Sequence, residues 1–317
     1  MPEFTPPKDP KEQFNLAINR GITLALTTIE NRFEQSEGPN AKNKLYFHTT
    51  PHTKGVISRT GRLLRAIHDS HPELVSERDI LLGKFIAAWH DVVQNWEPEM
   101  RENPQRHIRK RKTGENETKS AQEAISYMDR INNDPNGTIF TEEDKSVVKK
   151  AINLTIPHFD IEKGTVAQEN FENYEIIAQA VGLADLGVPG MELPQNSLFD
   201  AWAIIKEEEL DITNYIELRK TGLPKNIKKE EEYALIIKAR LVNQLNFVKA
   251  RKDQTDIEIQ QIANFNARNI LLDLFNSFDA TINATEQLVQ RSEDMNFEEL
   301  ISAMESALSE PPVYSIN

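Results

Sequence analysis

The sequence predicts an all-α fold, and three observations support this prediction. Apolar residues recur at three- and four-residue steps along most of the chain, as on the buried stripe of a helix. No run alternates apolar and polar residues convincingly in the manner of a strand. Prolines and capping residues stand where the helical patterns begin or end. The 317 residues suffice for one large helical domain, or for a domain with an appendage.

The first three predicted helices follow from their apolar stripes and their termini. Apolar residues mark one face of residues 14–33, which form the first helix. The second begins at Pro51, because proline suits the first helical turn, with Thr50 as the expected cap. The third covers residues 76–94, and its apolar side includes Trp89.

The remaining helices are predicted in the same way. Residues 117–132 form the fourth helix. A capping-box pattern of Thr141 and Asp144 begins the fifth, and Pro157 ends it. Residues 170–186 are apolar enough to form a core helix. From residue 197 onward the predicted helices become longer and more charged, and they include residues 227–254, 256–277 and 296–308.

Composition excludes several classes of function. The net charge of −13 argues against non-specific nucleic-acid binding, which depends on neutralising phosphates. No stretch approaches the roughly 20 apolar residues that span a bilayer, so no membrane association is expected. The polar, proline-rich N-terminus is unlike a secretory signal, so we expect a cytoplasmic protein. There is no cysteine, so any metal must be held by nitrogen and oxygen.

The pair His90-Asp91 is the most informative feature of the chain. It follows the apolar run 85–89, so we expect the pair to be buried. An unpaired buried carboxylate is costly, so a buried aspartate usually has a cation or several hydrogen-bond donors beside it. Imidazole and carboxylate together favour a divalent metal ion. A second copy, His68-Asp69, lies at a predicted helix end with no other motif in reach. Adjacent helical residues point about 100° apart, so His90 and Asp91 can reach one ion only near a helix end or bend.

Further motifs surround His90-Asp91 in a fixed order. The motifs read Tyr46-Phe-His48-Thr-Thr-Pro-His52, then His90-Asp91, then Asn116-Glu117-Thr-Lys-Ser120-Ala121, then Thr155-Ile-Pro-His158, and finally Asp185-Leu186. This order resembles the HD superfamily of metal-dependent phosphohydrolases, from about residue 46 to residue 251. One departure is Phe47, which separates a tyrosine and a histidine that are usually adjacent.

The resemblance implies a metal centre and roles for the residues around it. Two histidines and two aspartates suit Mn²⁺, Mg²⁺, Fe²⁺ or Zn²⁺ and leave positions open for water and a phosphate oxygen. The basic run 106–112 is either a solvated loop or a loop that attracts an anionic substrate. The expected metal ligands are His52, His90, Asp91 and Asp185; the expected catalytic residues are Asp91, Glu117 and His158; the expected substrate-binding residues are His48, Arg109 and Lys112.

The resemblance therefore implies an HD-type hydrolase of a small, anionic phosphorylated molecule, with a nucleotide as the expected example. Two alternatives stay open. One is an HD-type di-iron oxygenase, which needs additional histidine ligands, and the other is a non-catalytic metal- or nucleotide-binding regulatory module. We expect a disordered N-terminus at 1–10, the helical domain at 11–254, and a helical extension at 255–317 that packs on the domain or on the second subunit of a homodimer.

Overall fold

Helices predominate in the structure, as the sequence predicts. The computed structural model describes residues 9–35, 37, 43–102, 105–133, 139–160 and 165–316. None of the described helices is long and apolar enough to cross a membrane. In chain order the elements are α1 (Pro10–Phe33), α2 (Thr50–Ser70), α3 (Glu77–Trp89), β1 (Trp96–Glu102), β2 (Gln105–Arg111), α4 (Glu115–Asn132), α5 (Glu142–Leu154), β3 (His158–Asp160), β4 (Thr165–Ala167), α6 (Ile176–Asp185), α7 (Val188–Met191), α8 (Pro194–Glu208), α9 (Leu210–Lys220), α10 (Ile227–Gln261), α11 (Phe265–Leu274), α12 (Phe278–Glu293) and α13 (Phe297–Leu308).

The structure also contains two short antiparallel ribbons, in segments where the sequence analysis found no convincing strand pattern. In the first, Trp96 on β1 lies opposite Arg111 on β2. In the second, His158 on β3 lies opposite Ala167 on β4. The basic run 106–112, predicted as a loop, is therefore largely a strand. In β1 the apolar residues Trp96, Pro98 and Met100 alternate with charged ones, but Pro98 and Met100 are exposed, and β2 has one apolar residue, Ile108. The pattern of a half-buried strand is therefore weak in the first ribbon.

Helices α2, α3 and α6 pack against one another in the larger core. Leu64 of α2, Phe85 of α3 and Val181 of α6 are fully buried there. Gly83 allows the close approach, because a Cβ at this position would collide with the Leu64 side chain. The N-terminus of α2 and the C-terminal ends of α3 and α6 carry the expected metal ligands.

A smaller second core lies between α8, α9, α12, α13 and the first half of α10, and it includes Ile237 and Leu300. Helix α10 is continuous, and its second half contributes Val248 and Ile259 to the larger core. The boundary expected between residues 254 and 255 therefore falls inside one helix. Of the N-terminus expected to be disordered, residues 1–8 lie outside the described residues, and residue 10 already begins α1.

Candidate metal centre

The first turn of α2 presents His52. Pro51 lies in this turn, as the sequence predicts. Thr50 is the first helical residue rather than the cap, and Glu34 of α1 accepts a hydrogen bond from its backbone nitrogen at 2.6 Å. A carboxylate from another helix thus replaces the expected cap and fixes the start of α2 against α1.

His90 and Asp91 lie where α3 ends. The helix stops at Trp89, and His90 is its C-cap, so the pair is at a helix end, as the geometry of two adjacent ligands requires. His90 Nδ1 is 2.7 Å from the carbonyl oxygen of Ala87. Because a carbonyl only accepts, Nδ1 carries the hydrogen, and a neutral His90 offers the lone pair of Nε2. That atom is 3.1 Å from Asp91 Oδ2.

Asp185, the last residue of α6, completes the group. Its Oδ1 lies 3.3 Å from His52 Nε2 and 3.4 Å from His90 Nε2. Asp91 Oδ2 is 3.5 Å from His52 Nε2. His52, His90 and Asp185 offer ligand atoms within 4.8 Å of one another and can hold a metal ion. The four side chains expected from the motif order are therefore together.

Interactions within this group raise the pKa values of its two histidines and lower those of its two aspartates. Burial alone would lower the pKa of His52, but hydrogen bonds with Asp185 and Asp91 outweigh it and raise that pKa. The pKa of His90 lies well above its ordinary value, because the charges of Asp91 and Asp185, that of Asp91 most, outweigh burial. Burial would raise the pKa of Asp91, but His90 and Arg111 hold it well below its usual range. The pKa of Asp185 is also lowered, by both histidines against burial.

The residues fit a divalent metal ion. Two ligands about 2.1 Å from one ion and 90–110° apart are about 3.0–3.4 Å from each other, close to the donor separations found here. The His90 side chain is 1% exposed. Its Nε2 makes no hydrogen bond of ordinary geometry despite the nearby carboxylates. A buried, unsatisfied ring nitrogen between two carboxylates indicates a cation position.

Arg111 is the basic residue that reaches the centre, and the sequence analysis missed it. Its Nη2 donates to Asp91 Oδ1 at 2.8 Å, and Gln94 Nε2 donates to the same oxygen at 2.7 Å. Asp91 therefore keeps Oδ2 for the histidines and the ion. Arg111 Nη1 is 2.7 Å from Glu117 Oε1. The signal for Arg111 in the sequence is the basic run 106–112, but the sequence analysis assigns Arg109 and Lys112 from this run to the site and not Arg111.

The Asn-Glu-x-x-Ser motif supports the chain that follows Asp91. Asn116 accepts a hydrogen bond from the backbone nitrogen of Asn95 and donates to its oxygen, and Ser120 Oγ accepts from Val93 nitrogen. Glu117 is fully buried behind Arg111. The expected catalytic residue Glu117 thus contacts Arg111 rather than the four ligands.

His48 lies beside the centre and is oriented by Glu207, a second residue that the sequence analysis missed. His48 Nδ1 is 2.5 Å from Glu207 Oε1. The other carboxylate oxygen accepts hydrogen bonds from three successive backbone nitrogens, those of residues 46–48. The His48 ring is 5.9 Å from the His52 ring, measured between centroids. No sequence pattern links Glu207 to His48, because the contact spans 159 residues.

The structure places the other three expected residues differently. Arg109 donates to the oxygen of Lys44 and lines a cleft of about 850 Å³ that also reaches Gln94 and Trp96. Lys112 stays 3.8 Å from Glu97. His158 is half exposed on β3 and pairs with Glu169. Among the described contacts, none joins Lys112 or His158 to the four ligands.

No family model, curated protein or solved structure matches the chain. The resemblance to the HD superfamily therefore stays a prediction from the motifs. The metal centre rests on the geometry of this chain's own residues, which bring together side chains from three different helices.

Proposed function

We propose that this chain is a metal-dependent hydrolase of a small phosphorylated molecule, with a nucleotide as the expected substrate class. One observation carries the proposal: the ligand atoms of His52, His90, Asp91 and Asp185 meet in one buried group. Such a set suits Mn²⁺, Mg²⁺, Fe²⁺ or Zn²⁺. When bound, the ion supplies Lewis acidity that polarises a phosphoryl oxygen and acidifies water.

The surrounding residues position the reaction. Arg111 and Gln94 fix the carboxylate of Asp91, so that one oxygen is kept for the ion. Glu207 fixes the ring of His48, which is placed to donate to a phosphate oxygen or to the leaving group. Arg109 lines the adjacent cleft and adds positive charge there.

The roles expected for three residues change in this proposal. Asp91 acts as a ligand rather than a base, because a carboxylate whose pKa is well below its usual range is a weak proton acceptor. Glu117 positions Arg111. His158, half exposed and beside Glu169, has no part in the proposed chemistry.

The geometry supports a one-ion hydrolase more than the di-iron alternative. A second ion would need further histidine ligands. His48 is engaged by Glu207, and His107 is exposed beside Asp211. The regulatory-module alternative uses the same ligands without turnover, so a measurement of activity distinguishes it from the hydrolase.

The test is metal content together with phosphate release from a panel of nucleotides. We expect about one ion per chain and turnover with added Mn²⁺. The double variant His90→Gln/Asp91→Asn should lose the ion and roughly a thousandfold in rate, because metal polarisation is worth several kcal/mol. The matched control is His68→Gln/Asp69→Asn, the copy of the pair outside the centre.

The possible outcomes distinguish the hydrolase from the two alternative functions. Metal without turnover on any nucleotide would support the regulatory module. Two irons per chain would support the oxygenase. Equal metal content in the two double variants would contradict the assigned centre. Circular dichroism confirms that both variants are folded before they are compared.

A further inference from the structure

A second buried cation lies beside the centre. Arg59 is two helical turns after His52 on α2, and its side chain extends back along the helix. Its Nη1 lies 2.8 Å from the position that a Cβ on Gly55 would occupy. Its Nε donates to the oxygen of Ala184, the residue before the ligand Asp185. Arg59 is therefore anchored between the chain segments that carry two of the metal ligands.

The two terminal nitrogens of Arg59 lack close hydrogen-bond partners. The side chain is 1% exposed, and neither Nη1 nor Nη2 makes a hydrogen bond of ordinary geometry. Glu192 stays 3.8 Å from Nη1 and lies closer to Arg62, and the second carboxylate nearby, Asp200, lines the same cavity. Leaving the Nη donors of a buried guanidinium without partners is costly, and an anionic ligand that bonds them would offset this cost.

A segment of the chain itself covers this guanidinium. The ring centroid of Tyr314 is 5.9 Å from Arg59 Cζ. Tyr314 and Pro312 line one cavity together with Arg59, His52 and Asp200, and the space left among them is too small for a water molecule. The segment 310–316 therefore closes the cavity that reaches both Arg59 and a metal ligand.

The closing segment is held by two hydrogen bonds, by the contact of Tyr314 with Arg59 and by the packing of Ile316 against the larger core. It has neither helical nor strand structure. Among the described residues, Asn196 Nδ2 donates to Tyr314 Oη at 3.2 Å, and Lys84 Nζ donates to the oxygen of Ile316 at 3.0 Å. Val313, directly before Tyr314, is 96% exposed. A segment with so few contacts opens at low free-energy cost.

We propose that Arg59 is an anion subsite of the metal centre and that segment 310–316 closes it reversibly, so that Tyr314 and a phosphorylated ligand exclude each other. The choice of a phosphorylated ligand rests on the proposed function. The exclusion itself follows from the shared cavity, because an anion that bonds both Nη atoms needs the space that Tyr314 fills.

The experiment is a calorimetric titration of the protein with inorganic phosphate, with and without bound Mn²⁺. We expect deletion of residues 310–316, and Tyr314→Ala, to tighten phosphate binding roughly tenfold, because closure reduces the fraction of binding-competent protein. Val313→Ala is the matched control in the same segment and should leave the affinity unchanged. Metal content should be the same in all of these proteins.

A second variant tests the role of Arg59. Combining Arg59→Gln with the deletion should abolish the gain in phosphate affinity. In the unmodified protein, phosphate should also speed cleavage by chymotrypsin after Tyr314, because the open segment exposes this side chain. Unchanged affinity after the deletion, or unchanged cleavage at saturating phosphate, would overturn the proposal.

Failure of the hydrolase proposal would look different. The protein would then bind no metal or release no phosphate from nucleotides, whereas the metal-free titration still reports on Arg59 and Tyr314. Tighter phosphate binding by the metal-free deletion variant would support the closing segment alone. Metal binding and turnover with no effect of the deletion would leave the hydrolase standing and remove the closing segment.

Discussion

The chain contains His-Asp twice, at residues 68–69 and 90–91. The two copies have similar local contacts, and they differ mainly in the side chains that other helices bring to them. Each histidine has its Nδ1 2.7 Å from a backbone carbonyl oxygen. Each also has its Nε2 within 3.3 Å of a carboxylate. Local contacts alone therefore do not distinguish a metal ligand from an ordinary helix-end histidine.

The distinction comes from other helices. The carboxylate beside His68 belongs to Glu77, whose side chain is 46% exposed, and Asp69 is exposed. The Asp91 side chain is 5% exposed and faces both His52 and His90. Removal from water, together with ligands from α2 and α6, makes His90-Asp91 part of a site that can hold an ion.

The largest expected difference is in the free energy of unfolding after removal of the arginine that lies near each copy, Arg111 or Arg65. Arg111→Met leaves the fully buried Glu117 without its cation and removes one of the cations that face Asp91, and breaking such a buried pair costs about 3–5 kcal/mol. Arg65→Met removes an exposed partner of Glu77 and should cost about 0–1 kcal/mol. Urea unfolding of both variants in the presence of EDTA measures the difference. Equal free energies of unfolding would show that the network around Asp91 is not effectively buried.

The second contrast is stabilisation by metal. At an ion concentration 100 times its dissociation constant, binding to the folded state alone adds about 2.7 kcal/mol to the free energy of unfolding. We expect His68→Gln to keep this gain, and His90→Gln and Asp185→Asn to lose most of it. Thermal unfolding with and without Mn²⁺ measures the gain. The same gain in the His90 and His68 variants would place the ion elsewhere.

The helices were largely predictable because they carry local signals. The capping box of Thr141 and Asp144 is present as the sequence predicts, and α6 ends at Asp185. The first ribbon was not predictable, because its strands are stabilised by each other and bury no continuous apolar face. The continuity of α10 was missed as well, since its two halves pack in different cores and present different stripes.

Within the site, the predictable residues were those that the motifs name in order, such as His52 and His90. Arg111 and Glu207 could not be selected, because each acts through a contact that depends on tertiary structure. Arg111 meets Asp91 only because β2 returns along β1 to the end of α3. Motif order thus indicates which residues can hold an ion, whereas the fold decides which charges orient them.

The smallest expected difference between the two copies is in the number of protons released when an ion binds. In the metal-free protein the pKa values of His52 and His90 are raised, since their hydrogen bonds and charge interactions with Asp91 and Asp185 outweigh burial. A raised histidine pKa contributes stability that is present at low pH and is lost as the pH rises through the raised value.

An ion needs the neutral ring of each histidine, so binding must release protons, and the affinity for the ion must fall as the pH falls below those pKa values. We expect roughly one to two protons per ion at neutral pH, and about a tenfold loss of affinity per pH unit for each proton displaced. Calorimetry in buffers of different ionisation enthalpy counts them. The count should be unchanged in His68→Gln, and a count near zero would mean that the two histidines are already neutral before the ion binds.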